Sequence, residues 1–145
     1  LTIGTLDGAN IEIREQVGDE NIFIFGLKTA QVQASREGGY DPAALIAEQP
    51  ALAAVLDAID GGAFSYDEPD RYRALVDALR HGDHYRLLAD FGDYLAAQAR
   101  VDALYRHPRA WAAKALRNVA GMGTFSSDRT IAQYASQIWH VDGRR

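Results

Sequence analysis

The sequence predicts an α/β fold in which two short parallel strands are followed by mostly α-helices. Three observations carry this reading. Two apolar runs of strand length, Leu1-Thr2-Ile3-Gly4-Thr5 and Ile22-Phe23-Ile24-Phe25, lie close together near the start. The segment between them carries residues that start and stop a helix. From Thr29 onward, Pro and Gly divide the chain into pieces of helical length.

The first run is short, β-branched and interrupted by Gly, which suits a buried strand. Asp7 is then the candidate N-cap of a helix through Ile11-Glu12-Ile13-Arg14-Glu15, with acidic residues near the positive end of its dipole. Gly18 is expected to close that helix in a left-handed conformation. The run at Ile22 is apolar on both faces and ends at Gly26, as a strand covered on both sides would. Strand, helix and strand make residues 1–26 a minimal βαβ remnant, with a right-handed crossover expected.

Residues 27–141 read as helical. One short helix over 30–37 is stopped by Gly38-Gly39. Pro42 and Pro50 each open another, the second ending at Gly61-Gly62. Pro69 leads into a helix whose inward face is Tyr72, Leu75, Val76 and Leu79. Residues 85–91 are ambiguous between extended and helical. Tyr94, Val101, Leu104 and Tyr105 share one side of the next helix, which His107-Pro108 breaks. Trp111, Ala115, Leu116 and Val119 form a further apolar face, until Gly121-Met122-Gly123. Ser126 or Ser127 caps the last helix, striped by Ile131, Tyr134, Ala135, Ile138 and Trp139. Residues 142–145 read as a loose tail.

With 145 residues, 48% of them hydrophobic, the chain is long enough for one domain; folding at this length buries roughly 70% of the unfolded surface. Charged residues make up 24%, close to the ordinary share of about 25%, so general disorder is not expected. A net charge of −5 without a basic run disfavours nucleic acid as a partner. No apolar stretch reaches the roughly 20 residues that span a bilayer, and no cleavable signal is visible. The absence of Cys excludes disulfides and thiolate metal sites. These features point to a soluble cytoplasmic protein without a membrane partner. The chain opens on Leu1 and an apolar strand with no polar lead-in, so it is expected to begin inside a domain. Two strands cannot satisfy a sheet that needs two covered faces, so the sheet is expected to continue outside this chain.

Several ordered runs then carry a resemblance. Leu1-Thr2-Ile3-Gly4-Thr5-Leu6-Asp7-Gly8-Ala9-Asn10-Ile11-Glu12-Ile13, followed by Asn21-Ile22-Phe23-Ile24-Phe25-Gly26, resembles the glycogen, starch and maltodextrin phosphorylases. So does Gly123-Thr124-Phe125-Ser126-Ser127-Asp128-Arg129-Thr130-Ile131, with Tyr134-Ala135 and Ile138-Trp139. Ala89-Asp90-Phe91, Asp93-Tyr94, Ala103-Leu104-Tyr105, Pro108 and Trp111 fall between them in the family's order. The resemblance implies that residues 1–145 are the C-terminal segment of the Rossmann-like, cofactor-binding second lobe of a two-lobed glycosyltransferase fold. It implies a parent enzyme, expected to be a homodimer, that releases glucose 1-phosphate from α-1,4-glucans with inorganic phosphate and pyridoxal phosphate. In this family the cofactor lysine follows a Gly-rich segment ending in Asn and Met, and that segment would lie just before Leu1. The partner of this chain would then be the N-terminal remainder of the phosphorylase, and the chain alone is expected to be inactive and to bind no cofactor. The last helix would reach back towards the other lobe. A second reading is a free-standing helical binding module derived from a phosphorylase tail.

A Schiff base needs lysine, and the chain has only Lys28 and Lys114. Lys28 follows the second strand, at the end where α/β folds bind ligands, yet a solvated loop residue explains it. Lys114 falls on the expected solvent face of its helix. Gly121-x-Gly123 could cradle a phosphate on backbone N–H groups, but it has no preceding strand and reads as a cap and turn, with Asp128 and Arg129 as first-turn charges. His81 and His84, with Asp83 between them, have one-turn spacing without a third ligand and read as a surface turn. His107 and His140 sit alone at helix ends. Glu12, Glu15, Asp19 and Glu20 read as a solvated acidic face, with no facing partner for acid–base work. Trp111, Trp139 and Tyr134 could stack on sugars, but their helical spacing favours core packing. Asp7 and Asn10, where the first strand meets its helix, hold the best remaining chance of facing a cleft. None of these residues is assigned a catalytic, cofactor-binding or metal-binding role.

Overall fold

The first strand, β1 (Ile3–Thr5), and the second, β2 (Phe23–Phe25), pair in parallel, with α1 (Ala9–Val17) between them. The computed structural model describes residues 1–141, so the tail expected over 142–145 lies outside the described residues. The remaining helices are α2 (Thr29–Glu37), α3 (Pro42–Glu48), α4 (Pro50–Asp60), α5 (Arg73–His81), α6 (Leu87–Tyr105), α7 (Pro108–Gly121) and α8 (Ser127–Gln133). Internal contacts divide the chain into two compact units: Leu1–Ile24 with the chain from Arg100 onward, and Phe25–Ala99.

In the first unit, the Phe23 N–H donates to the Thr2 carbonyl at 2.9 Å. Both strands are only half-buried, whereas their apolar composition predicts burial on both faces. α1 starts at Gly8, and no side chain caps it. Asp7 therefore does not play the predicted part: its carboxylate instead accepts from the Thr5 hydroxyl at 3.1 Å. Gly18 has a φ of 82° but an extended ψ of 153°, so it departs from the left-handed helical pair while still closing α1 with a bond to the Arg14 carbonyl.

α7 turns a different face inward from the one its apolar periodicity predicts. Leu116 is 69% and Val119 72% exposed, while Asn118 is buried and Lys114 half-buried. At about 100° per residue, the inward side is rotated by about 75° from the apolar one. The cause is a short 3₁₀ turn at Asp19–Asn21, whose carbonyls lie outside any ladder and need donors. Lys114 Nζ donates to the Glu20 carbonyl. Asn118 Nδ2 donates to the Asn21 carbonyl at 2.8 Å. Around these bonds, among the described residues of this unit, only Val17 and Ile22 supply buried apolar side chains.

The predicted stripe on the last helix is also exposed: Ile131, Tyr134, Ile138 and Trp139 all face outward. α8 has only seven residues before a π-helical turn at Tyr134–Ile138, which shifts the register of the later residues, while Ile131 is exposed ahead of that turn. Ser126 stands at the N-cap position without a side-chain cap bond. Trp111 is half-buried and meets Tyr105 edge-on at 5.1 Å.

The second unit holds the apolar core. Leu52 and Leu56 of α4, Val76 of α5 and Leu88 of α6 are buried together, with Ile46, Ile59, Leu79 and Phe91 against them. α2 ends at Gly38 as expected, and Asp41 caps α3, accepting from the Ala43 N–H at 2.9 Å. Pro42 and Pro50 occupy first helical turns, where the missing N–H costs nothing. Leu75, predicted to face inward, is 54% exposed. A 3₁₀ turn at Pro69–Tyr72 precedes α5, so Tyr72 lies outside its register and the inward side centres on Val76 and Leu79. Of residues 85–91, Tyr85 and Arg86 end a turn and Leu87 to Phe91 open α6.

That start is held by Asp83, which is not the surface turn its neighbours suggest but only 2% exposed. Its carboxylate accepts from the Leu87 N–H at 2.8 Å and the Leu88 N–H at 2.9 Å, and from the Tyr40 hydroxyl. The Arg86 guanidinium lies 4.1 Å above the Tyr40 ring and donates to the Ser35 hydroxyl. Burial, then the bond to the Asp83 carboxylate, pushes the Tyr40 phenol well above its ordinary value. Asp83 and Arg86 both adopt positive φ, 38° and 62°, strain that persists because these bonds over-determine it.

Two expectations follow. Asp83→Ala should cost about 3 kcal/mol in urea unfolding, and Tyr40→Phe about 1 kcal/mol, because the first leaves two helix N–H groups and a phenol without their acceptor. A raised phenol stabilises the fold below its unfolded value of about 10 and loses that contribution as pH rises further, so the wild-type chain should lose its advantage over Tyr40→Phe above about pH 10. On α7, Asn118→Leu should destabilise by about 2 kcal/mol by stranding the Asn21 carbonyl, while Leu116→Ser should change little; the reverse order of urea midpoints would refute the inward polar face.

Candidate functional site

The carboxyl end of β2 is the position where a parallel sheet offers ligand contacts. Here the chain leaves the strand at Gly26, whose φ is 81° and whose missing Cβ would fall 2.7 Å from the Asp90 carboxylate. Asp90, from α6, accepts from the Leu27 N–H at 2.7 Å. The carboxylate thus occupies the space beyond the strand and supplies the acceptor that its first loop N–H needs. Any other residue at Gly26 would meet both a disfavoured φ and this carboxylate.

Lys28 follows directly and is exposed at the N-terminus of α2. Its carbonyl accepts from the Gln31 N–H at 2.8 Å, and its own N–H donates to Gln31 Oε1 at 2.9 Å. The Lys28 ammonium has no acceptor atom and takes no part in this cap. Lys114 is not the solvated residue its helical position predicts, since its Nζ is committed to the Glu20 carbonyl. The Lys114 amine is thus taken up by a backbone carbonyl, whereas the Lys28 ammonium is exposed.

Asn10 is a positioning group where β1 meets α1. Its Nδ2 donates to the Thr5 carbonyl at 2.9 Å, and a Cβ on Gly4 would come within 2.5 Å of that nitrogen. Asp7 is exposed beside it. Together they fix the turn from β1 into α1. Of the acidic residues, Asp19 is not simply solvated: Arg14 holds it in a two-bond clamp at 2.6 and 2.8 Å. Those bonds lower the Asp19 carboxyl below its ordinary range. Glu12, Glu15 and Glu20 are exposed.

At the Gly121-x-Gly123 turn, a Cβ on Gly121 would sit 3.0 Å from the Gln16 carbonyl, so this glycine serves helix packing. Gly123 lies in a 3₁₀ turn, Met122–Phe125. Asp128 stays in the first turn of α8, whereas Arg129 folds back to the Thr124 carbonyl at 2.5 Å and to Gln133. His81 and His84 are exposed on either side of buried Asp83. His81 Nδ1 faces the Asp77 carbonyl and His140 Nδ1 the Ser136 carbonyl; His107 precedes α7. Among the described residues no three His, Asp or Glu side chains gather as a metal site. Trp139 and Tyr134 contact each other at 5.8 Å but remain largely exposed, and Trp111 is only half-buried, so the core packing expected of these three is not what the structure shows. Sequence reasoning missed Asp90, which enters it only as part of a motif because its partner Leu27 lies 63 positions away.

Comparison with known proteins completes the assignment. The carbohydrate phosphorylase family model matches residues 1–141. The muscle form of glycogen phosphorylase from Bos taurus is 45% identical over 145 residues, all of this chain and 17% of the relative. The brain form from Homo sapiens is 46% identical over 142 residues, 98% of this chain and 17% of the relative. The chain therefore spans about one sixth of the length of the curated relatives it matches, and with a family match running through nearly every described residue it belongs to the carbohydrate phosphorylase family.

Proposed function

We propose that this chain is the C-terminal segment of an α-glucan phosphorylase, part of the Rossmann-like lobe that carries the cofactor. The observation that carries the reading is identity near 45% over the whole chain, set against only 17% of the relatives' length. The parent would release glucose 1-phosphate from an α-1,4-glucan with inorganic phosphate, using pyridoxal phosphate on a lysine upstream of Leu1. It would work in the cytoplasm as a homodimer. In this reading the chain is structural: it extends the sheet, packs helices around it and sends the last helix towards the other lobe. The exposed Leu116 and Val119, and the exposed stripe through Ile131, Ile138 and Trp139, support it, because helices of this composition ordinarily bury such faces.

The reading predicts a difference between the chain and a longer polypeptide that includes the upstream coding sequence. The longer polypeptide should phosphorolyse maltodextrin and show a cofactor absorbance. Residues 1–145 alone should do neither, and should bind a hydrophobic dye that the longer protein excludes. Borohydride-stable, stoichiometric labelling of Lys28 or Lys114 by pyridoxal phosphate would refute the assignment of the cofactor lysine to the upstream segment.

A further inference from the structure

We draw no further inference here: the strongest candidate, the exposed aromatic pair Phe64 and Tyr66 on the turn between α4 and α5, is an open surface patch and nothing in the structure shows what covers it.

Discussion

The buried carboxylate of Asp83 is the interaction on which the helical unit depends. Taking an ionised carboxylate out of water costs several kcal/mol unless donors surround it. Here the Leu87 and Leu88 N–H groups and the Tyr40 hydroxyl are those donors. The first two open α6, the longest helix of the chain, and the third fixes the segment joining α2 to α3. Leu88, whose N–H completes the cap, is itself one of the four central core residues. The polar anchor and the apolar core are thus adjacent, and the cap sets the angle at which α6 presents Leu88 and Phe91 to α4 and α5.

The first unit is organised by a different constraint, the satisfaction of carbonyls that no ladder reaches. The 3₁₀ turn before β2 points carbonyls of Glu20 and Asn21 away from the sheet, and α7 meets them with Lys114 and Asn118. Asn21 is buried and donates to the Val17 carbonyl at 2.7 Å, while its own Oδ1 has no partner among the described residues. An inward face built this way is polar, so the apolar residues of the same helix are displaced outward. This is why Leu116 and Val119 are exposed in a chain whose composition is otherwise that of an ordinary globular protein.

Much of the fold was legible because it rests on local rules. The strands at Ile3 and Phe23, the helix openings at Pro42 and Pro50, the break at His107-Pro108 and the stops at Gly38 and Gly61 follow from backbone chemistry that each residue carries with it. What was not legible depends on partners distant in sequence. Asp83 looked like a surface residue between two exposed histidines because Tyr40, 43 positions away, is invisible to periodicity. Lys114 looked solvated because its acceptor lies 94 positions earlier. The stripe on the last helix is exposed both ahead of the π-helical turn, at Ile131, and at its end, at Ile138 and Trp139, which no local rule in the sequence foretells.

The same distinction governs the candidate site. A resemblance spread over several runs identifies the family, and within those runs particular residues have structural partners. In the first of them, Gly4 makes room for Asn10, and Asn10 ties the end of β1 to the start of α1. In the next, Gly26 makes room for Asp90, whose carboxylate takes the position beyond the strand that a ligand would otherwise use. In the last, Arg129 closes the turn ahead of α8 through the Thr124 carbonyl. Each motif is accounted for by a close approach or a backbone bond within the chain itself. Residues that carry the resemblance therefore also hold the backbone where each strand ends and where α8 begins.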